Sequence, residues 1–291
     1  MNEMNMSNEL VFFMTEKCNS NCIMCPISEG TRKRGNAINE EEFVSLINNI
    51  DNSIEHIDIT GGEPLLEWEK VIALMQYLNE NYPSIPVQIL TNGRLMCMKS
   101  IQTALRSVIN ERYLFTVPVH GPTSKVHDFI SSSPGSFMET LEGLRFLSEA
   151  NARTEIRIVG SRLNADRITE TCKMISSMRL RNSIINIVAM EMTGSAAVNR
   201  ELIWIDYREL FTKIEEGIID LIRRGFDVEL YNFPLCALPQ YVWPLAKNSI
   251  SIEKIRYSEE CNHCNVRNAC GGMFYSVKLL DLFTVHPVQE G

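Results

Sequence analysis

Short apolar runs of strand length alternate with longer amphipathic runs through most of the chain, and this alternation constrains the fold more than any other feature. The strand-like runs are Leu10–Thr15, His56–Thr60, Val87–Thr91, Tyr113–Val119, Glu155–Val159 and Ser183–Ala189. Helical patterns begin near Asn39, Glu67, Lys99, Ser136, Asp166 and Tyr207. Asn39 followed three residues later by Glu42 is a capping pair. Val71, Leu74, Met75 and Leu78 repeat at helical spacing. Strand–helix units in succession bury a parallel sheet beneath outer helices. Six units are too few to close an eight-stranded barrel, so the expectation is an α/β fold, an open partial (β/α)6 barrel. Its functional site belongs at the C-terminal ends of the strands, as in complete barrels.

Beyond Arg224 the pattern changes. Phe233 to Pro244 carries three prolines and little periodicity. The expected division is therefore a core domain over 1–224 and a small extension over 225–291. The first strand begins by about residue 10, so no separate N-terminal domain is expected. The start, Met1 to Glu9, is polar and lacks the apolar run of a signal peptide. No stretch approaches the ~20 apolar residues of a membrane span. A cytoplasmic protein with no membrane partner is expected. The net charge of -8 argues against nucleic acid as a partner, because phosphate binding wants clustered Lys and Arg. Arg32, Lys33 and Arg34 form a short basic run, read as a solvated loop.

Nine cysteines are spread unevenly, three between Cys18 and Cys25 and three between Cys261 and Cys270. In a cytoplasmic setting such clusters read as metal ligands rather than disulfides. Cys18, Cys22 and Cys25 follow the first strand. Their spacing would put them on one face of a helix, as three core cysteines. Asn19, Ser20, Asn21 and Pro26 oppose that and favour a loop. Structural zinc wants four ligands, and this cluster offers three. Three thiolates suit a [4Fe–4S] cube with one iron left open.

A loop of the form Cys-x3-Cys-x-x-Cys after a first strand resembles the signature of radical S-adenosylmethionine (SAM) enzymes. Ile57 to Pro64 strengthens the resemblance, since its Gly61-Gly62-Glu63-Pro64 is similar to that family's segment at the second strand end. The resemblance implies SAM chelated at the open iron by its amino and carboxylate groups. One electron then cleaves it to a 5′-deoxyadenosyl radical, with the cofactor supplying the hard chemistry. It further implies that Met24 packs near the adenine, and that Gly61, Gly62, Glu63 and Pro64 receive the SAM amino group. Two glycines allow close backbone approach, and a carboxylate suits an ammonium. Thr91-Asn92-Gly93 resembles a further segment near SAM, with Asn92 as its polar residue, although Asn-Gly is also a plain turn signal. Arg157 on the fifth strand is placed to reach the SAM carboxylate or, equally, to point outward as a strand charge. Cys97 and Cys172 read as ordinary helix thiols.

The second run, Cys261-x2-Cys264-x5-Cys270, has Cys236 upstream. By spacing alone it serves zinc as well as iron–sulfur, with His263 able to replace a cysteine. It resembles the core of the SPASM and twitch extensions of radical SAM enzymes, in truncated form, because Phe274 stands where the full pattern has another cysteine. The resemblance implies one auxiliary [4Fe–4S] cluster on Cys236, Cys261, Cys264 and Cys270. His120-Gly121, His127-Asp128 and Gly135-Ser136-Phe137 look like the middle of peptide-modifying members. Met190 to Ala196 and the tail look closest to the maturases of the His-Xaa-Ser system. That implies a precursor peptide as substrate, an electron donor such as flavodoxin or ferredoxin, and a partner protein for leader-peptide recognition. Two other readings stand beside it. One is a radical SAM enzyme acting on a nucleotide-like small molecule, a molybdopterin-type cyclase, although the short gap from Cys264 to Cys270 is unlike that family. The other is a non-catalytic zinc-binding interaction module, which accounts for 236–270 but not for the first cluster. His120 and His127 read as ordinary polar residues at strand and helix ends, beside the alternative of substrate or proton-handling groups.

Overall fold

Each of the six alternating runs forms a strand, because β-branched and aromatic residues fill one face of each and pack under helices. The computed structural model describes residues 8–51, 53–248 and 254–289. The polar start, Met1 to Ser7, lies outside the described residues. The strands are β1 (Glu9–Phe13), β2 (His56–Thr60), β3 (Val87–Leu90), β4 (Tyr113–Pro118), β5 (Arg153–Val159) and β6 (Ser183–Val188). All neighbours pair in parallel and in chain order.

The sheet does not stop at the sixth strand. β7 (Val228–Tyr231) pairs with β6 and β8 (Ala246–Lys247) pairs with β7, again in parallel. The change of pattern after Arg224 is thus a change in how the chain runs, not the end of the sheet. Val228 and Leu230 face the buried side while Glu229 and Tyr231 face the other, an alternation too short to stand out before the prolines. Among the described residues β8 does not pair with β1, so the eight strands form an open sheet.

The helices are α1 (Glu29–Arg34), α2 (Glu40–Asn48), α3 (Trp68–Asn81), α4 (Lys99–Arg106), α5 (Ser124–Ser131) and α6 (Ser136–Glu149). They continue with α7 (Ile168–Ser177), α8 (Gly194–Val198), α9 (Arg200–Ile203), α10 (Tyr207–Arg223) and α11 (Tyr275–Leu279). The six expected helices are α2, α3, α4, α6, α7 and α10. Asn39 caps α2 by accepting from the Glu42 amide at 2.8 Å. Cys172 is buried in α7, whereas Cys97 ends a short 3-10 turn ahead of α4.

The two faces of the sheet differ in chemistry. Ile57, Ile59, Ile89, Phe115, Val117, Ile156, Ile158, Ile185 and Ile187 are fully buried on the helix side. The alternate residues share the other face and are largely polar. Gln88 donates to Thr116 Oγ1 at 2.6 Å, Arg157 pairs with Glu155 at 2.7 Å, and Tyr231 donates to Glu229 at 2.8 Å. Asn186 is buried beside Arg157 and Glu229 in the strand register. The tail adds to the same apolar core rather than building its own. Phe233, Val242, Phe274, Val277 and Phe283 join it, and the Tyr207 ring stacks 5.0 Å from Phe283.

Candidate functional site

The segment that leaves β1 runs alongside the segment that leaves β2. Gly62 N donates to Thr15 O at 2.7 Å, and Glu63 N to Lys17 O at 2.9 Å. The two backbones approach so closely that side chains are excluded. A Cβ on Gly61 would lie 2.5 Å from Thr15 O, and one on Gly62 would lie 2.2 Å from Lys17 O. The glycine pair therefore serves the approach of one strand-end loop to the other. This brings Cys18, the next residue but one after Glu16, to the rim of the sheet.

From Cys18 to Cys25 the chain is a loop, as its Asn and Ser content requires. It is held at many points. Asn21 N and Ile23 N donate to the end of α5, at Ser131 O and Ile130 O. Asn199 Nδ2 donates to Ile23 O at 2.9 Å, and Ala196 N to Cys25 O at 3.1 Å. Arg94 donates to Asn19 O and Ser20 Oγ while pairing with Glu139 at 2.6 Å. Arg32 is buried and donates to Ile27 O, Asn21 Oδ1, Cys22 O and Ser195 Oγ. The expectation that residues 32–34 form a solvated loop is not met: they are the last turn of α1, and Arg32 is buried. It faces inward because the loop's carbonyls need donors that the loop itself does not supply. Lys33 does remain exposed, paired with Glu29.

The expected SAM residues divide in two. Glu63 and Asn92 sit with the cysteine loop. The Glu63 carboxylate is fully buried and accepts from Thr91 Oγ1 at 2.7 Å, Asn92 N at 2.7 Å and Leu65 N at 3.0 Å. It thereby ties the end of β2 to the end of β3. Burial raises its pKa, against the lowering effect of those donors. Asn92 Nδ2 reaches Asn19 Oδ1 at 2.6 Å and Cys18 Sγ at 3.8 Å. Pro64 opens the short 3-10 turn that Glu63 caps. Met24 is packed in the core. Arg157 lies apart on β5, with its guanidinium held by Glu155. Arg94 carried no signal in the sequence, while Asn19 was legible only as a turn residue, Arg32 only as part of a basic run and Ser195 only within the stretch from Met190 to Ala196.

The cysteine thiols are free of disulfides. Burial pushes Cys18 up to about 11 and Cys22 up to about 12, with the neighbouring thiols adding to the rise and Arg32 opposing it. Without a cation Cys18 and Cys22 prefer to keep their protons. Beside them is a buried guanidinium whose four acceptors are all neutral and whose Nε has no partner. A buried charge of that kind calls for an anion nearby. Three thiolates on an iron–sulfur cube supply one, so the residues fit the group. Among the described residues no three His, Cys, Asp or Glu side chains converge on the space of a single ion.

Cys236, Cys261, Cys264 and Cys270 line a second small cavity of about 20 Å³, with Tyr257, Arg267 and Val285 among its walls. Cys236 enters it from the loop after β7. The other three hang on a loop closed by an antiparallel pair, β9 (Ile255–Arg256) with β10 (Met273–Phe274). Cys270 Sγ accepts from Leu235 N at 3.3 Å and Gly272 N at 3.4 Å. Burial raises Cys236 and Cys270, and the neighbouring thiols add to it. His263 is not among the cavity's lining residues. Both cysteine sets follow the C-terminal end of a strand, so both lie at the same end of the parallel sheet. Among the described residues no helix is long and apolar enough to cross a membrane.

Residues 12–175 match the family described as the radical SAM superfamily. The antilisterial bacteriocin subtilosin biosynthesis protein AlbA of Bacillus subtilis is 26% identical over 51% of this chain and 32% of its own length. A probable GTP 3′,8-cyclase of Pyrobaculum aerophilum is 26% identical over 82% of this chain and 75% of its own. The crystal structure of Streptococcus suis SuiB bound to precursor peptide SuiA superimposes with a TM-score of 0.61 and 16% identity, covering 76% of this chain and 48% of that one. The chain spans less than two thirds of the length of several curated relatives, 46% and 32% in two of them.

Proposed function

The chain belongs to the radical SAM superfamily, and on that premise we propose that it is a maturase that modifies a ribosomally made peptide. The observation that carries this reading is the second set of cysteines gathered around one cavity at the same end of the sheet as the first. Cys18, Cys22 and Cys25 would hold a [4Fe–4S] cluster, and Cys236, Cys261, Cys264 and Cys270 an auxiliary one. Bound together, SAM and the first cluster supply a reductively generated carbon radical. Residues 1–224 act as the radical core and 225–291 as the auxiliary-cluster extension, which also contributes β7 and β8.

The chain's own residues orient and shield. Gly61 and Gly62 let the cysteine loop lie against β2. Glu63 fixes the Asn92 backbone, and Asn92 in turn steadies Asn19 beside Cys18. With the Glu63 carboxylate turned inward, the carbonyls of the half-buried Gly61 and Gly62 are the groups for the SAM ammonium. Arg157, on the polar face, is the group for the SAM carboxylate, with Glu155 holding it in place. Met24 backs the adenine from the core. The acidic surface and the relatives' peptide chemistry favour a peptide over nucleic acid, with an external one-electron donor such as flavodoxin or ferredoxin and a separate protein to recognise the leader. The subtilosin protein and the peptide-bound SuiB support this substrate class. The His-Xaa-Ser subgroup rests on the middle and tail motifs.

The long match to a probable GTP 3′,8-cyclase favours a second reading, a nucleotide substrate. One experiment separates these. The anaerobically reconstituted protein is given SAM, a reductant and either GTP or a candidate peptide from any short open reading frame found beside its gene. A mass change in the peptide with GTP untouched is expected; conversion of GTP alone would replace the proposal. About eight irons with matching sulfide are expected for two cubes, and zinc in their place would support the interaction module.

A further inference from the structure

The three sulfurs of the first cysteine set are not equally surrounded. Cys18 Sγ accepts from the Ser20 amide at 3.4 Å, and Cys25 Sγ from the Ile27 amide at 3.4 Å. Both donors belong to the loop itself. Cys22 Sγ has its own amide and, from another element, the His120 ring, with Nε2 at 4.0 Å.

His120 is held as though its ring position mattered. It directly follows β4 and Val119 and is buried. Its backbone N–H donates to His127 Nδ1 at 3.2 Å, and its carbonyl accepts from Asn164 Nδ2 at 3.1 Å. Both backbone groups are thus anchored, one to α5 and one to the loop after β5. The two imidazoles lie 5.0 Å apart, and Phe137 closes the far side of His127. The other ring nitrogen, Nδ1, is buried without a partner. Leaving a buried polar atom unpaired is costly, so the ring's placement answers to its Nε2 side. Asn92 Nδ2 likewise donates to Cys18 Sγ at 3.8 Å, its other N–H being taken by Asn19 Oδ1 at 2.6 Å.

We propose that His120, as its Nε2–H tautomer, donates a hydrogen bond to the Cys22 thiolate and through it sets the reduction potential of the cluster held by Cys18, Cys22 and Cys25. A metal-bound thiolate can only accept, so the proton must be on Nε2 and the unpartnered Nδ1 carries a lone pair. A donor to a ligating sulfur stabilises the more negative, reduced cluster, which raises the potential. The backbone donors to Cys18 and Cys25 cannot be varied by side-chain replacement. The side chains of His120, on Cys22, and Asn92, on Cys18, can; of the two, His120 has no other side-chain partner at its donor nitrogen, so it is a position at which this sequence adjusts how readily the cluster takes its electron. His120 does not touch SAM or substrate in this role; it acts through Cys22.

The inference rests on the cluster assignment made above. The test is an electron-paramagnetic-resonance redox titration of the reconstituted protein, following the signal that changes when SAM is added. His120→Phe should disfavour reduction about tenfold, a downward shift of about 59 mV for one electron. His120→Gln, whose side-chain amide keeps a donor at similar reach, should recover most of that shift. His120→Asn, too short to reach Cys22, should behave like His120→Phe and serves if the larger ring disturbs folding. Equal potentials in all variants would overturn the role of His120 while leaving the cluster assignment standing. Absence of any SAM-responsive signal in the parent protein would instead strike the assignment, and this inference with it.

Discussion

Replacing Gly62 with alanine discriminates between two reasons for a glycine at the second strand end. If Gly62 serves only the approach of SAM, the metal-free chain should not notice a methyl group. The structure puts the added Cβ 2.2 Å from Lys17 O and 2.5 Å from Glu16 O, both backbone atoms in the segment leading to Cys18. Neither can swing away like the end of a side chain. The two segments must part by more than 1 Å to reach ordinary contact of about 3.5 Å. Parting them breaks the hydrogen bonds from Gly62 N to Thr15 O and from Glu63 N to Lys17 O. Each is worth about 1 kcal/mol net, and forced overpacking adds roughly 1–3 kcal/mol. The sum, about 3–5 kcal/mol, corresponds to a fall in melting temperature on the order of 10 °C for a domain this large. Gly30→Ala is the control, since its Cβ would meet only the end of the Arg34 side chain, at 3.1 Å. Thermal unfolding of the metal-free proteins, followed by circular dichroism, is the assay. Iron content after reconstitution should fall in parallel for Gly62→Ala. A metal-free Gly62→Ala that melts within a degree or two of the parent would refute the backbone-approach argument.

Cys22→Ala should abolish SAM cleavage to 5′-deoxyadenosine and methionine, because a cube on two cysteines is not retained; undiminished cleavage would sink the assignment of the triad. Glu63→Ala leaves three buried donors without an acceptor, so it should lower stability by at least about 1–3 kcal/mol, the cost of one such group, and weaken SAM binding only through the loosened strand ends. Unchanged stability measured by urea unfolding would show that those donors find other partners. The double change of Cys261 and Cys264 to Ala should remove about four irons, the content of one cube, and stop peptide modification, while SAM cleavage without peptide continues; full iron content in that variant would exclude the ligand set. His56 donates to Asp58 at 3.0 Å, and that bond raises the folded-state pKa of His56 above the usual value of 6.5. Its contribution is therefore complete below the unfolded-state pKa and fades as pH rises through the higher folded value. The stability gap between the parent and His56→Gln should be larger at pH 5.5 than at pH 8.5, and a pH-independent gap would contradict the pairing.

Periodicity revealed the strands that mattered most for locating the site. β1 through β6 each carry an apolar run of strand length, and the cysteine triad follows the first of them. β7 was hidden because Val228–Tyr231 is four residues long and lies just ahead of Pro234, where a turn signal dominates any short alternation. β8 is only two residues and has no readable pattern at all. The role of the glycine pair was legible as close approach but not as approach to what. A sequence shows that Cβ is absent at 61 and 62; only the fold shows that Thr15 and Lys17 occupy the space.

What the sequence determined by itself was local: the cysteine spacings, the turn residues between them, and the apolar alternation that commits the chain to a parallel sheet with its site at the strand ends. These depend on neighbours a few residues apart, where backbone geometry dictates which side chains share a face. The direction in which each polar group spends its hydrogen bonds was decided by the tertiary structure alone. Arg32 meets Ser195 across 163 positions, and His120 meets Cys22 across 98. Glu63 turns inward because β3, 28 residues on, presents a hydroxyl and an amide to a carboxylate that burial would otherwise penalise. A basic run and two histidines carry no mark of such partners in the chain, since burial and unmet donors or acceptors arise only when distant segments close upon one another.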